Sequence, residues 1–405
     1  MSSSKLDIGS VSGTQGAHNL VGNFGNVSIG AKEHLQDIRT KEFNACQQSL
    51  YLTDSYIDRE ALTRTKGRRV PGTCEWITQH PTYQYWLHGT GSSSLLWISG
   101  GPGKGKTMMS IFLTEELAKS PTANVIYYFC SAQDEKRNTT TGVLRSFVHQ
   151  ILRCMPEFLN HTQPFFESRE RIQETLSSME TLWIIFQRMV TDVDLHPIYC
   201  VLDGLDECDE AGLRFLVVKI AGIFSPDIPS AAQTGFKLVI VSRHIHRLGG
   251  IHRCKKINLD IDNDDAVKND VKQFIHARVL ELSSLDGFNQ EPHEHIQTTF
   301  IERAKGTFLW VGFAMTELVR QTTCSQVLTA LDKLPVGLHA VYNQIILRIP
   351  KAHRATSFKI LRWVTMAETP LSLEQLGSAT GLMTSSAGLR KERNIRDGIA
   401  VSLLK

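Results

Sequence analysis

The chain has 405 residues, of which 41% are hydrophobic and 21% charged, and its formal net charge is +3. This length allows two or three domains, each with its own core, and the nearly balanced charge implies no general attraction to nucleic acid or anionic membranes. The sequence shows neither the apolar segment of a secretory signal nor an apolar run near the roughly 18–20 residues of a spanning helix. Eight scattered cysteines without a C-x-x-C pair are typical of reduced thiols. We therefore expect a cytoplasmic protein with no membrane span and no nucleic-acid partner.

The beginning of the chain differs from the rest in composition. Residues 1–31 are dominated by Gly, Ser and Asn, and their few apolar residues are spaced apart. Such a stretch buries too little surface to offset its ordering entropy, so we expect a disordered tail. Residues 32–90 are predicted to be an N-terminal helical linker, because apolar residues recur at helical spacing from Lys32 to about Leu62.

Strand and helix patterns alternate over residues 91–262. The predicted strands are short, nearly continuous apolar runs at Leu95–Ser99, Asn124–Cys130, Ile198–Leu202 and Phe236–Ser242. Such strands, separated by helices, predict an α/β fold with a parallel sheet covered by helices on both faces. Residues 263–352 contain only helical patterns and predict an all-α domain after the sheet.

The first predicted strand leads into a complete Walker A motif, G-x-x-x-x-G-K-T, which predicts a P-loop NTPase. Glycines let successive backbone N–H groups turn towards phosphate oxygens, and the following helix adds its positive N-terminal end. We expect Lys106 to reach the β- and γ-phosphates of ATP or GTP and the Thr107 hydroxyl to bind Mg²⁺. The alternative is a glycine-rich turn with a solvated lysine, which the apolar strand before the motif disfavours. The predicted nucleotide-binding residues are Gly100, Gly101, Pro102, Gly103, Lys104, Gly105, Lys106, Thr107 and Met108.

A later predicted strand ends in a carboxylate. Asp203 follows the apolar run Ile198–Leu202, as in a Walker B motif, and is predicted to hold Mg²⁺ together with Thr107. Farther along, Asp206 and Glu207 are candidate catalytic carboxylates that could orient an attacking water. Both could instead cap the helix that follows, and the sequence leaves these alternatives open.

The fourth predicted strand is followed by an arginine. In open α/β sheets, ligands bind beyond the carboxyl ends of the strands, and Arg243 lies directly after such an end. A guanidinium there could contact the γ-phosphate with two hydrogen bonds. The alternative is an ordinary surface arginine.

These motifs together resemble a known family. The run Asp203-Gly-Leu-Asp-Glu207 resembles the NACHT subclass of STAND NTPases, including fungal NLR-like receptors and the nephrocystin-3-like N-terminal P-loop domain. Further similar stretches are Gly72–Ile77, Leu96–Thr107, Tyr128–Cys130, Arg137-Asn138, Leu144-Arg145 and Lys305–Trp310. The resemblance covers residues 43–377, and it implies that residues 353–405 begin a winged-helix domain.

The resemblance also implies a mechanism. Such proteins hold a nucleoside diphosphate in a closed state, and exchange for the triphosphate opens them for self-association. Slow hydrolysis then resets the switch, which serves fungal non-self recognition or regulated cell death. In physical terms, γ-phosphate contacts with Lys106, Mg²⁺ and Arg243 favour one of two domain arrangements.

The sequence departs from the family pattern at two places. Related receptors contact the base with a Gly-x-Pro-Leu turn, whereas Gly306–Leu309 has Phe308 in place of the proline, which leaves ATP or GTP open. The chain also ends at Lys405, within the expected winged helix and before the sensor repeats that the family implies. We expect either a truncated product or the loss of the ligand-sensing half.

The tail carries a second resemblance. Residues 18–30 resemble the HET-s-type amyloid signalling motifs at the N-terminus of some fungal receptors. Alternating apolar and small residues, asparagines and the lack of proline suit a stacked cross-β segment. The resemblance implies a downstream effector with a matching motif; the alternative is a flexible tail.

For the whole chain, the alternatives to a switch are an ordinary P-loop ATPase and a nucleotide-bound scaffold or decoy without turnover.

Overall fold

The computed structural model describes residues 37, 39–89, 94–192, 194, 196–225, 235–251, 254–261, 264–284, 288–367 and 371–381. The predicted amyloid-like motif at residues 18–30 lies outside these described residues, and so do residues 382–405 of the predicted winged helix. Contacts divide the chain into two compact units. Unit 1 comprises Met1–Gly67, Pro81–Ile98 and Ser110–Lys256, and unit 2 comprises Arg68–His80, Ser99–Met109 and Ile257–Lys405.

The N-terminal linker of unit 1 forms two helices where the sequence predicts one continuous helix. Helix α1 spans residues 39–50 and helix α2 spans Ser55–Lys66. The Asp54 side chain accepts hydrogen bonds from the backbone N–H groups of Tyr56 and Ile57, which starts α2 as a new helix. The Arg145 guanidinium donates to the backbone carbonyls at the end of α1, at Ser49, Leu50 and Tyr51. Both caps depend on side chains outside the apolar pattern, which is why helical spacing alone misses the break.

Helix α3 follows at Pro81–His88 and is also capped by a distant cation. The Lys237 ammonium donates to the carbonyl oxygens of Trp86, Leu87 and Gly89 at 2.7–2.9 Å. Burial lowers the pKa of Lys237. A cation at this position satisfies carbonyl groups that a helix end leaves without partners.

The predicted parallel sheet is confirmed. Its five strands are β1 (Leu95–Ser99), β2 (Asn124–Phe129), β3 (Ile198–Asp203), β4 (Phe236–Ser242) and β5 (Cys254–Asn258), in the order β2-β3-β4-β1-β5. In the register, Asp203 lies beside Phe129 of β2 and Val241 of β4, so the carboxyl ends of these strands share one edge. Strand β5 escapes the sequence analysis, because only Cys254 and Ile257 within it are well buried and two lysines interrupt the apolar run.

Helices separate the strands in the alternation that the sequence predicts. They are α4 (Lys106–Leu117), α5 (Thr140–Cys154), α6 (Leu159–Thr162), α7 (Arg169–Ser177), α8 (Met179–Val190) and α9 (Glu210–Ile223). The core of unit 1 lies between the sheet and α5, α8 and α9, and aromatic rings fill much of it. Phe186 contacts Phe147 of α5 and Phe236 of β4 with ring centroids 5.8 Å apart in each pair.

Unit 2 is helical beyond the sheet, as predicted for residues 263–352. Its helices are α10 (Asp264–Leu280), α11 (Gln290–Ala304), α12 (Phe308–Leu318), α13 (Cys324–Asp332), α14 (Gly337–Arg348), α15 (Lys351–Met366) and α16 (Leu373–Thr380). Trp310 is fully buried in its core, where its ring meets Phe300 edge-on and its Nε1–H donates to the Pro335 carbonyl at 2.8 Å. Among the described residues, none of the helices combines the length and apolarity needed to cross a membrane.

Candidate functional site

The phosphate loop, Gly100–Thr107, connects β1 to α4. Two of its glycines have left-handed backbones, Gly103 with φ 74° and Gly105 with φ 81°. Residues with a side chain rarely adopt these angles, and a Cβ on Gly103 would lie 2.9 Å from the Cβ of Leu309. Both positions therefore require glycine, which is the backbone reason for the motif.

The lysine of the motif lies at the start of α4. The Lys106 Nζ donates to the carbonyl oxygens of Gly100 and Gly101 at 2.7 Å each, so its positive charge is held against the loop. Thr107 and Met108 are half-buried in the first turn of α4, and Pro102 is exposed. A helix N-terminus with a lysine and inward-turning glycines fits a phosphate group, because each of these features favours an anion.

Two carboxylates that the sequence analysis does not single out contact the phosphate loop within unit 2. The Asp260 carboxylate accepts from the Gly101 N–H at 2.8 Å, and the Lys104 Nζ lies 3.3 Å from the Asp264 Oδ1 and 3.9 Å from the Asp260 Oδ1. Hydrogen bonds from the Lys268 and Lys104 ammonium groups lower the pKa of Asp264. Because Asp260 lies just past the end of β5, a prediction of that fifth strand could have pointed to it.

The turn that resembles a base-contacting motif also packs on the phosphate loop within unit 2. The Phe308 N–H donates to the Gly103 carbonyl at 2.8 Å, and the Phe308 ring lies 3.0 Å from the position of a Cβ on Gly105. The same ring meets Phe274 of α10 with centroids 5.4 Å apart. Phe308 therefore connects the phosphate loop to the helical core, and a proline there could not donate this hydrogen bond.

The acidic turn, Asp203–Cys208, begins at the end of β3 in unit 1. Asp203 is only 5% exposed, and its Oδ1 accepts from the Ser110 hydroxyl at 2.7 Å. Ser110 lies in α4 three residues after Thr107, hence on the same face of that helix. The next residue, Gly204, has φ 69°, and its N–H donates to the Val241 carbonyl at 2.8 Å. The glycine after Asp203 is thus required by the left-handed turn that leads into Leu205–Glu207.

Of the three predicted catalytic residues, which all lie in unit 1, Asp206 and Arg243 contact each other and Glu207 contacts a backbone N–H group. The Asp206 Oδ1 accepts from the Arg243 N–H at 2.9 Å, and its Oδ2 lies 3.4 Å from the Arg243 Nε. The Glu207 Oε2 accepts from the Ala132 N–H at 3.0 Å. Helix α9 is capped instead by Asp209, whose side chain accepts from the Gly212 N–H, so the alternative that Asp206 or Glu207 caps this helix is wrong.

Arg243 lies directly after β4, where the sequence places it. Its side chain is 61% exposed, against 16% for Asp206. An exposed guanidinium that pairs with a carboxylate gains little from that pair, so it can exchange the carboxylate for another anion at small cost. The γ-phosphate role of Arg243 stays a prediction, and so do the metal and catalytic roles of Asp203, Asp206 and Glu207.

A parallel sheet with a phosphate loop after β1 and a buried aspartate at the end of β3 defines a P-loop NTPase domain. The comparisons with known proteins agree with this class. Residues 72–243 match the family model described as "Nephrocystin 3, N-terminal". The chain is also similar to the vegetative incompatibility protein HET-E-1 of Podospora anserina, with 27% identity over 361 residues that cover 86% of this chain. It spans only 26% of the length of that relative.

Solved structures give weaker likenesses. The Cdc6p structure from Pyrobaculum aerophilum has a TM-score of 0.43 at 12% identity, over 82% of this chain and 87% of that one. Drosophila ORC bound to DNA has a TM-score of 0.37 at 11% identity, over 78% and 92%. Scores this low carry no argument about function. The sequence matches identify a NACHT-like P-loop NTPase domain related to HET-E-1, and such a domain implies nucleotide binding.

Proposed function

We propose that this chain is a nucleotide-controlled switch of the NACHT/STAND class, in which exchange of a diphosphate for ATP or GTP drives self-association. The observation that carries the proposal is the attachment of the phosphate loop to the first residues of α10 and α12 and to the turn after β5. Phe308 donates to Gly103, Asp260 accepts from Gly101, and Lys104 pairs with Asp264. A nucleotide that alters this loop therefore changes contacts of the helical unit, which is the differential interaction that a switch requires.

The proposed roles follow the chemistry of each residue. The backbone N–H groups of the phosphate loop and the Lys106 ammonium would bind the phosphates, and Thr107 and Asp203 would hold Mg²⁺. When bound, Mg²⁺ would neutralise charge on the phosphate oxygens. The Ser110 hydroxyl supports this assignment, because its hydrogen bond fixes the orientation of the Asp203 carboxylate.

Slow hydrolysis follows from the contacts of the acidic turn. Asp206 is the candidate that orients water and Arg243 the candidate that contacts the γ-phosphate, and in this structure they pair with each other. Breaking that pair would have to precede either role. We expect hydrolysis to reset the switch rather than to serve metabolic turnover.

The biological setting is proposed from the relatives. Similarity to a vegetative incompatibility protein supports a role in fungal non-self recognition or regulated cell death. Self-association would raise the local concentration of the N-terminal tails, so that residues 18–30 could template an effector with a matching motif. A synthetic peptide of residues 10–31 tests this amyloid role. Fibrils with cross-β diffraction would support the role, and a soluble, unstructured peptide would contradict it.

The pairing of Asp206 with Arg243 also favours a second candidate, a nucleotide-bound scaffold without turnover. Two measurements on the purified chain separate the candidates: the identity of the bound nucleotide after denaturation, and steady-state phosphate release. A stoichiometric, slowly exchanging diphosphate with turnover well below about 1 per second supports the switch. Faster turnover contradicts the switch and indicates an ordinary P-loop ATPase. Bound triphosphate that is never hydrolysed indicates the scaffold.

A further inference from the structure

Two thiols of unit 1 contact each other at the edge of the sheet. The Cys208 Sγ lies 3.5 Å from the Cys130 Sγ, and both residues are buried. Cys130 directly follows β2, and Cys208 is the last residue of the acidic turn. All eight cysteines are free thiols, and Cys154 is exposed. The sequence gives no sign of this pair, since 77 residues separate the two cysteines.

The sheet register explains why these cysteines meet. Phe129 and Asp203 are partners in the parallel pairing of β2 with β3, so the connections after both strands start at the same edge. Two hydrogen bonds then hold these connections together: the Cys130 N–H donates to the Asp203 carbonyl at 2.9 Å, and the Ala132 N–H to the Glu207 carboxylate at 3.0 Å. The thiols are thus neighbours because the backbones that carry them are fixed.

We propose that Cys130 and Cys208 form a reversible disulfide, which makes the acidic turn a redox-sensitive element. A disulfide has an S–S distance of about 2.05 Å, so the two sulfurs have to approach by about 1.5 Å from their 3.5 Å separation. The proposal goes beyond the switch function, because the bond forms without nucleotide.

The reaction needs an oxidant, for which we name a small disulfide such as oxidised glutathione. Exchange with one cysteine releases one glutathione thiol and leaves a mixed disulfide on the protein. The other cysteine loses its proton to solvent and attacks the protein sulfur of that mixed disulfide, which releases the second glutathione thiol. Two protein thiols are oxidised and one small disulfide is reduced to two thiols.

The bond would restrain the residues that precede Cys208. Asp206 and Glu207 lie between the new cross-link and the strand end at Asp203. Oxidation should therefore slow amide hydrogen exchange over residues 205–209 several-fold, and dithiothreitol should reverse the effect.

The test uses the full chain with Cys154→Ser, so that the exposed thiol neither reacts nor dimerises. After incubation with oxidised glutathione, thiols are counted in denaturant and the protein is digested for mass spectrometry. We expect the seven remaining thiols to fall to five, with a Cys130–Cys208 cross-linked peptide. A further Cys208→Ala change should abolish the cross-link and the exchange protection, whereas Cys324→Ala in another unit should leave both intact.

Three results would overturn the proposal. These are seven thiols that survive the treatment, a two-thiol loss that persists in Cys208→Ala, or a cross-link between other cysteines. The peptide identification needs no variant at either position, so a folding defect in Cys208→Ala leaves the proposal testable. Nucleotide binding plays no part in these readouts, and failure here leaves the switch proposal untouched.

Discussion

The phosphate loop and the acidic turn are both fixed by their surroundings, but by different kinds of neighbour. The acidic turn contacts residues at the ends of adjacent strands, such as Ala132, Val241 and Arg243. The phosphate loop contacts residues of unit 2 that lie about 160 or more positions later in the sequence, such as Asp260 and Phe308. The sheet register alone accounts for the first set of contacts, whereas the second depends on how the helical unit packs.

This difference indicates which contacts of the nucleotide site can change when a nucleotide binds. A strand end is part of the most stable region of an α/β fold and transmits little change. The phosphate loop and the helical core belong to the same unit, and the contacts between them can be made or lost as a set, which suits a two-state response. Changes in the helical core of unit 2 should therefore affect the phosphate loop, whereas the acidic turn should respond to changes in its own backbone.

The largest effect should come from the core of unit 2. Trp310 is fully buried two residues after Phe308, so Trp310→Ala removes a large packed ring and should lower the free energy of unfolding by about 3–5 kcal/mol. Trp363→Ala is the matched control, because Trp363 is 46% exposed, and it should cost about 0.5 kcal/mol or less. Urea unfolding measures both. Equal losses would mean that unit 2 has no core at Trp310.

The acidic turn should respond to a backbone change. Gly204→Ala places a side chain at φ 69° and 3.1 Å from the Cys130 carbonyl oxygen, so it should cost about 1–2 kcal/mol. Gly222→Ala in α9 meets no atom within 4 Å and should stabilise by about 0.5–1 kcal/mol, because alanine favours a helix. A lower melting temperature for Gly204→Ala and a higher one for Gly222→Ala would support the need for glycine in the left-handed turn. A neutral Gly204→Ala would show that the left-handed turn is unnecessary.

A smaller effect should follow from the hydrogen bond between Phe308 and the phosphate loop. Phe308 is the first residue of α12 and Thr307 before it is extended, so Phe308→Pro fits the backbone but removes the N–H. Phe308→Leu keeps the N–H. We expect Phe308→Pro to be less stable than Phe308→Leu by about 0.5–1.5 kcal/mol, with faster amide exchange at residues 100–106. Equal amide exchange rates in both variants would argue against a stabilising hydrogen bond from the Phe308 N–H to the phosphate loop.

The smallest effect concerns Asp270 of α10, which accepts from the Cys74 N–H and the Trp76 Nε1–H. Burial raises its pKa above the ordinary 3.8, although the hydrogen bonds from Cys74 and Trp76 and the charge of Arg69 lower it. Its contribution to the free energy of unfolding is therefore fully present below pH 3.8 and is lost as the pH rises through the folded-state pKa. The free energy of unfolding should accordingly fall with pH over this range. Asp270→Asn should remove this slope from urea unfolding measured between about pH 4 and pH 7. An unchanged slope would exclude Asp270 as its source.

Much of the sheet could be predicted from the sequence, because strands β1 to β4 are apolar runs that a covered parallel sheet requires. The phosphate loop, Asp203 and the position of Arg243 follow from motif spacing and from the rule that ligands bind beyond strand ends. Strand β5 could not be predicted, since Lys255 and Lys256 hide its pattern. Asp260 is missed for the same reason, because it follows β5 and its contact with Gly101 depends on the position of that strand in the sheet.

Several residues that carry the family resemblance prove to have structural partners. Arg145 caps α1, Trp310 fills the core of unit 2, and the Arg137 guanidinium lies 3.9 Å from the Asp58 carboxylate. Such roles depend on contacts between residues far apart in sequence, which local patterns do not encode. The sequence alone therefore marks these residues as important without showing why.

Nucleotide titration of the Lys106→Ala variant tests the central claim most directly. Lys106 places its charge against the phosphate loop, so the variant should bind ATP and GTP about 10- to 100-fold more weakly than the unaltered chain. Lys119→Ala is the control, because Lys119 is exposed after the end of α4 and should leave affinity unchanged. Unchanged affinity in Lys106→Ala would contradict the assignment of the phosphate loop as the nucleotide site.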